Sequence, residues 1–354
     1  MWRKVKGTLV VEAKDLKKAE RGIQEAAQII RRGGLVAFPT ETVYGLGASA
    51  FSGSAVERIF RAKGRPGDNP LIVHIAEEKD LKELAAQQPP QVSLLVEKFW
   101  PGPLTLVLPR GPRVPPEVTA GLDTVAVRMP RHPVALALIR AAGMPIAAPS
   151  ANRSGRPSPT TAEHVLEDLA GRIQMLLDGG PCPVGLESTV LDLTHEVPLL
   201  LRPGGVTLEQ LQETLGEVHL LDPHSYKKGE APPSPGLKYR HYAPRAPMYM
   251  VEGEPSRVVK EIKKICRENH LKGRRVGLLV TEENRSQFRA DAVEVLGLRR
   301  SPEEMAARLF DSLRRLDASG VDLILAETVE ETGIGLALMN RLRKAASGRT
   351  IKAR

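Results

Sequence analysis

Lys63 and Arg65 stand one residue apart in KGRPGDNPLIVHI, residues 63–75, a Gly/Pro-rich turn that runs into an apolar strand carrying His74. An ammonium acts as a point charge and a guanidinium as a bidentate fork, so one short loop bearing both can meet several phosphate oxygens. The same residues also suit a solvated basic turn closing the helix SAVERIFRAKG, because Lys and Arg are common in a last helical turn. A second polar loop, PSANRSGRPSPT at residues 149–160, follows the apolar strand MPIAA. Ser150 and Asn152 thus emerge at a strand end with hydroxyl, amide and backbone N–H groups available to an anion. Prolines and small residues on either side fit an ordinary surface turn equally well. Together the two loops spell K-x-R followed distantly by S-x-N.

Other residues extend the chemistry. A cation inside the apolar run VAVRM must find a partner when buried, which makes Arg128 a candidate carboxylate clamp. His74 alternates with Val73 and Ile75 and faces away from them, a pattern that a satisfied core histidine fits as well as a ligand does. Thr42 and Ser188 read by themselves as turn residues. GLGASA, residues 45–50, satisfies G-x-G-x-x-A, but PTETVY intervenes after the strand LVAF and the next helix begins near Ser54, so the strand-turn-helix context of a dinucleotide site is missing. The chain has no G-x-x-x-x-G-K-[ST], H-E-x-x-H or G-x-S-x-G run and no clustered metal-ligand spacing. An ATP site must be of another type, with Mg2+ held mainly by the phosphates and no protein metal site.

These residues need a scaffold, and 354 residues with 42% hydrophobic and 26% charged content can supply two packed domains. Leu16, Ala19, Ile23, Ala26, Ala27 and Ile30 recur at helical spacing, and Gly33–Gly34 stops that helix before LVAF, so the first domain is expected to open α then β. Further strands are expected at LIVHI, LTLVL, TVAVRM, MPIAA and STVLDL, with helices near 55–63, 92–99 and 134–142. Several of these strands lack an intervening helix, so a twisted, partly antiparallel sheet fits better than a doubly wound one. A Pro-, Lys- and Tyr-rich stretch follows the helix at 207–215. From Met248 strands and helices alternate, as in a small Rossmann-like open α/β domain. There Ser301 and Glu304 form a capping-box pattern, with Gly320 at the far end of the helix. The expected division is 1–220, a linker at 221–246, and 247–354.

The net charge of +9 favours anionic partners without identifying them. Cys182 and Cys266 are the only cysteines and show no paired spacing, which fits a reducing compartment. No run approaches the ~20 apolar residues of a spanning helix, so the expectation is cytoplasmic, without membrane association.

Around the two loops stand FPTETVYGLG, FWPGPLTLVL, VAVRMPRHP, GLESTVLDL and LLRPGG. With these, residues 7–220 resemble the YrdC-type threonylcarbamoyl-AMP synthases, and SPGLKYRHYAP with the smaller C-terminal domain resembles the long, two-domain form. Leu237 replaces the methionine usual in that linker motif. The resemblance implies a nucleotidyltransferase that joins L-threonine, bicarbonate and ATP into L-threonylcarbamoyladenylate with release of pyrophosphate. The product supplies the threonylcarbamoyl group for adenosine 37 of tRNAs through a downstream tRNA threonylcarbamoyl transferase.

It implies ATP contacts from Arg65, Asn69, Thr124, Ser150, Ser158 and Arg202, with Lys63 and Asn152 completing the signature; Lys63, Arg65, Ser150 and Asn152 are the catalytic set. Thr42, His74, Arg128, Ser188 and the main chain of Ala148 correspond to threonine contacts. Tyr239 and His241 are candidate ATP contacts on a linker that acts as a lid. Three rivals remain. A basic concave sheet face leaves weak tRNA binding open, although an aromatic content of 4% and the lack of an Arg/aromatic platform argue against a nucleic-acid binder. A carbamoyltransferase using a related domain would need extra modules, some of them zinc-bearing, that two lone cysteines cannot supply. The third is an interaction role for the C-terminal domain.

Overall fold

The computed structural model describes residues 2–221, 232 and 241–354. The chain clusters into two compact units. The first comprises residues 1–154, 158–183 and 187–239, and the second residues 155–157, 184–186 and 240–354. Of the expected linker, residues 222–231 and 233–240 lie outside the described residues, and Tyr239 with them. No helix among the described residues is long and apolar enough to cross a membrane.

The first unit is built on a mixed sheet of twelve strands among the described residues. Val36–Phe38 pairs antiparallel with Gly45–Ser49, which pairs antiparallel with Ile146–Ala147. Ile146–Ala147 pairs antiparallel with Ile72–His74, and that strand runs parallel to Thr124–Arg128. Leu104–Pro109 and Thr189–Asp192 extend the sheet beyond. GLGAS is therefore a strand, which removes the dinucleotide reading of its glycines.

The period-2 alternation of these strands feeds two cores. Val36, Phe38, Ile146, Met175 and Leu177 pack with the helices Leu16–Arg31 and Pro133–Ala142. Ala37, Ala147, Leu176 and Val73 face the other side, with Val56, Ile59 and Phe60 of the helix Gly53–Lys63.

The expectation that the unit opens α then β is corrected. An antiparallel hairpin, Trp2–Val5 with Thr8–Glu12, precedes the first helix. Its two-residue turn is Lys6–Gly7, with φ of 47° and 94°, the left-handed geometry that matches strand twist. A lysine in the first position hides that turn among the charged N-terminal residues.

The second unit holds a five-stranded parallel sheet in the spatial order Ala292–Val295, Val276–Val280, Leu323–Glu327, Met248–Glu252, Thr350–Lys352. The helix Pro255–His270 packs Val258, Val259, Ile262 and Cys266 against Val251, Val276, Leu278 and Leu325. Ser301 caps the helix Pro302–Ala318 without any side-chain bond, so the expected capping box is absent; the Glu304 carboxylate turns to Arg308 at 2.5 Å instead. Gly320 does adopt the left-handed conformation, φ 68°, just past that helix.

Candidate functional site

The K-x-R segment begins as the end of a helix. Ser52 caps Gly53–Lys63 at its start through the Ala55 N–H, and Gly64 ends it at φ 64°. Its last residue points inward, so Lys63 is only 3% exposed. The ammonium donates to Ser150 O at 2.5 Å, Asn152 O at 2.6 Å and Asn152 Oδ1 at 3.3 Å. All three of its protons thus go to the S-x-N loop. Burial, reinforced by neighbouring Arg65, holds the Lys63 pKa well below its ordinary value.

The loop is pinned from its other side as well. Leu46 N donates to Pro149 O and Ala151 N to Tyr44 O, both at 2.8 Å. Within it, Ser150 Oγ donates to Asn152 Oδ1 at 2.6 Å. Lys63, Ser150 and Asn152 therefore form one unit in which the buried cation shapes the loop.

Arg65 lies beyond the glycine and is half-buried, with Nη2 donating to Asn69 O at 3.0 Å and Pro70 O at 3.1 Å. Asn69 is fully buried, yet neither its amide nitrogen nor its amide oxygen has a hydrogen-bond partner. Unpaired buried amides are rare because each lost bond costs about 1–3 kcal/mol. Thr124 opens the strand that Arg128 closes. It stands roughly 13 Å from Arg128 along the backbone, at the sheet end where Ser150 leaves its own strand.

The second focus is around Arg128, 3% exposed, whose strand register places it beside His74. Its Nε donates to Gly102 O at 3.1 Å and its Nη1 to Thr42 Oγ1 at 2.9 Å. Thr42 is held in a tight loop by Thr40, whose hydroxyl lies 2.8 Å from its own. Arg128 Nη2 sits 2.7 Å from Glu41 Oε1, an ion pair by distance that is out of line for a hydrogen bond. His74 Nδ1 is buried without a partner. Burial, with the Arg128 charge behind it, takes the His74 pKa down to about 3, so the ring is neutral at physiological pH.

Ser188 and Arg202 meet directly. Arg202 donates through Nε at 3.1 Å and Nη2 at 2.9 Å to Ser188 O, and Nη2 lies 3.2 Å from Ser188 Oγ. Ser188 Oγ also lies 2.7 Å from Thr105 Oγ1. The glycine in RPGG permits this closeness, since a Cβ on Gly204 would stand 2.2 Å from Thr189 N. Ala148 is buried, with its N–H on Ile72 O at 2.9 Å.

Ser158 is fully buried and donates to Glu187 Oε1 at 2.5 Å, a pair of its own. His241 belongs to the second unit, its ring 5.6 Å from that of Tyr242. Sequence reasoning missed Glu41, Thr105 and Glu187. Glu41 and Glu187 lie in the quoted runs PTETVY and GLESTV, each beside a chosen residue, and a carboxylate inside an otherwise small or apolar run was the available signal.

Residues 28–204 match the Sua5/YciO/YrdC family, described as "Telomere recombination", and residues 206–347 match the family described as "Threonylcarbamoyl-AMP synthase, C-terminal domain". A threonylcarbamoyl-AMP synthase of Bacillus subtilis is 52% identical over 99% of this chain and 100% of its own length. A Pyrococcus abyssi protein of the same name is 50% identical over 98% of this chain and 99% of its own. The crystal structure of P. abyssi Sua5 complexed with L-threonine superposes with a TM-score of 0.93, at 50% identity over 98% of this chain and 100% of that one.

Proposed function

We propose, from the premise that the chain belongs to the threonylcarbamoyl-AMP synthase family, a division of its site into an ATP half and a threonine half. The chain is an ATP-using threonylcarbamoyl-AMP synthase that serves the threonylcarbamoyladenosine modification of tRNA. Arg65, Asn69, Ser150, Asn152, Ser158, Thr124 and Arg202 are assigned to ATP, and Thr42, His74, Arg128, Ala148 and Ser188 to L-threonine. Lys63 acts by holding the S-x-N loop. The observation that carries this reading is the pair of buried, unpartnered polar groups, the Asn69 amide and His74 Nδ1. Each costs stability unless a ligand supplies its partner.

The chemistry follows from the charges. The threonine amine attacks the carbon of bicarbonate with loss of water, or of carbon dioxide derived from it with loss of a proton, and gives an N-carboxylate. A carboxylate oxygen of that group then attacks the α-phosphorus of ATP, and the bond to pyrophosphate breaks. Neither step needs a covalent bond to the protein. Arg65 and Arg202 offset the accumulating negative charge, and Arg128 orients the threonine carboxylate in a site closed to bulk water. Neutral His74 can accept a hydrogen bond from the threonine hydroxyl at Nδ1.

Among the described residues no three His, Cys, Asp or Glu side chains converge to hold a metal ion. Mg2+ would be held mainly by the ATP phosphates and would supply charge neutralisation there. The product is a mixed anhydride, so a transferase that accepts it and delivers the group to tRNA is the required partner; weak tRNA binding by this chain is not needed for the step. Two buried, unbridged thiols fit a cytoplasmic setting. Tyr239 and His241 remain the proposed lid contacts.

Incubation with ATP, L-threonine and labelled bicarbonate tests the reading. Label is expected in an adenylate and to fall at least tenfold in Asn69→Ala and in His74→Ala; undiminished label in both variants would refute the division.

A further inference from the structure

The second unit carries a cationic cavity that the synthase reaction does not use. It has a volume of about 590 Å3 and lies between the helix Pro255–His270 and the segment 286–289. Lys263, Arg267 and Arg289 line it together with His270, Cys266 and Phe288. No carboxylate lies within ion-pairing distance of Lys263, Arg267 or Arg289 among the described residues. Their neighbours are served elsewhere: Lys264 pairs with Glu261, Arg285 with Glu282, and His270 with Asp291 at 2.8 Å.

Cations in a last helical turn often only complement the helix dipole. That accounts for Arg267 and His270. It does not account for Lys263, a turn earlier, or for Arg289, which comes from a different element. Three cations around one concavity give it a positive potential that favours an anionic ligand. Its apolar wall is Leu271, 82% exposed, with Phe288 and Cys266 nearly buried at 8% and 6%. Burial pushes the Cys266 thiol up to about 11, so that wall carries no charge at neutral pH. The volume is that of a small-molecule site.

We propose that this cavity binds a nucleotide, its phosphate on Lys263, Arg267 and Arg289 and its base against Leu271. A nucleotide unit can arrive free or as part of an RNA strand, and the test separates the two. Hydrogen exchange of the full chain is followed in segments 260–271 and 284–290 with AMP, ATP, inorganic pyrophosphate or a short single-stranded oligoribonucleotide. Slower exchange in both segments is expected. A Lys263→Ala/Arg267→Ala/Arg289→Ala variant abolishes it, each single change weakens it about tenfold, and threonylcarbamoyl-AMP synthesis is unaltered.

Protection by AMP identifies a free nucleotide. Protection by the oligoribonucleotide alone, with a log–log salt slope of roughly −2 for three cations, identifies RNA. The proposal falls if neither segment is protected by any nucleotide or by the oligoribonucleotide at ligand concentrations at which ATP protects residues 63–69, or if pyrophosphate alone protects as well as any nucleotide.

Discussion

Two buried carboxylates, one in each unit, are treated in opposite ways. Glu327, 3% exposed, closes a strand of the second unit. It accepts from Thr281 N at 2.7 Å, Thr281 Oγ1 at 2.9 Å and the Asn284 amide, with Arg299 Nη2 3.4 Å away. Glu41, 2% exposed, has the Arg128 cation beside it, yet neither of its oxygens accepts a hydrogen bond. Low-dielectric surroundings make an unsatisfied polar group costly and a satisfied one rigid. In the first unit Glu41, Asn69 and His74 carry unmet polar demand, and in the second Glu327 uses its buried charge to fix a strand end.

Glu327→Ala is the harshest test of that contrast. It leaves two backbone or side-chain donors of Thr281, the Asn284 amide and the Arg299 charge without their acceptor, so a loss of about 3–5 kcal/mol in urea unfolding is expected. The protein that remains folded keeps its turnover. A variant as stable as the parent would show that Glu327 is not the fixed point it resembles.

Next in size is Lys63→Ala. Turnover is expected to fall roughly 10²- to 10³-fold, the cost of losing one preorganised electrostatic element. Stability should drop by about 1–3 kcal/mol as well, because Ser150 O and Asn152 O lose a shared donor. Arg65→Ala should reproduce the first effect with a smaller share of the second, because Asn69 O and Pro70 O lose a donor that is only half-buried. Equal destabilisation by both would erase the distinction between a cation that shapes the loop and one that faces the ligand.

Asn69→Ala sharpens the comparison from the other side. Its amide has no partner in the empty protein, so removing it should leave the melting temperature unchanged or raised while threonylcarbamoyl-AMP synthesis falls about 10- to 100-fold. A melting temperature lowered as far as in Glu327→Ala would mean that the amide is structurally satisfied, and the contrast would fail.

Much of this was legible in sequence where one period governs one element. The helix at 16–31, the strands LIVHI, TVAVRM and MPIAA, and the alternation of the second unit all follow from apolar spacing. The short strands Met175–Asp178 and Thr350–Lys352 did not show, because three or four residues carry too little pattern against their neighbours. The Lys6–Gly7 turn was hidden by its lysine. At the site, residue types named the chemistry but not the direction of each side chain. Lys63 looked like a partner to Arg65 in phosphate binding, and only the inward turn of the helix end directs it to Ser150 and Asn152. Glu41 stood out only as a carboxylate in a small, apolar run, because its partner Arg128 is 87 residues away by the difference of their numbers.

The last test concerns His74 and pH. Its folded pKa of about 3 lies below the unfolded value of 6.5, so the unfolded chain binds the extra proton between those limits. The stability that this neutral ring contributes is complete above pH 6.5 and is lost as pH falls toward 3, with a slope of about 1.4 kcal/mol per pH unit. His74→Asn should flatten the pH dependence of urea unfolding between pH 4 and 6 by that amount.

Ligand binding gives the complementary reading. Because the folded ring is already neutral at pH 5, an Nδ1 that accepts from threonine is as ready there as at pH 7.5, and the threonine Kd should change less than twofold between them. A histidine titrating at its ordinary value would be about 3% neutral at pH 5, and affinity would drop roughly 30-fold. A drop of that size would mean that His74 is solvated in the empty protein, and its unmet nitrogen would no longer distinguish the threonine pocket from the satisfied carboxylate of the second unit.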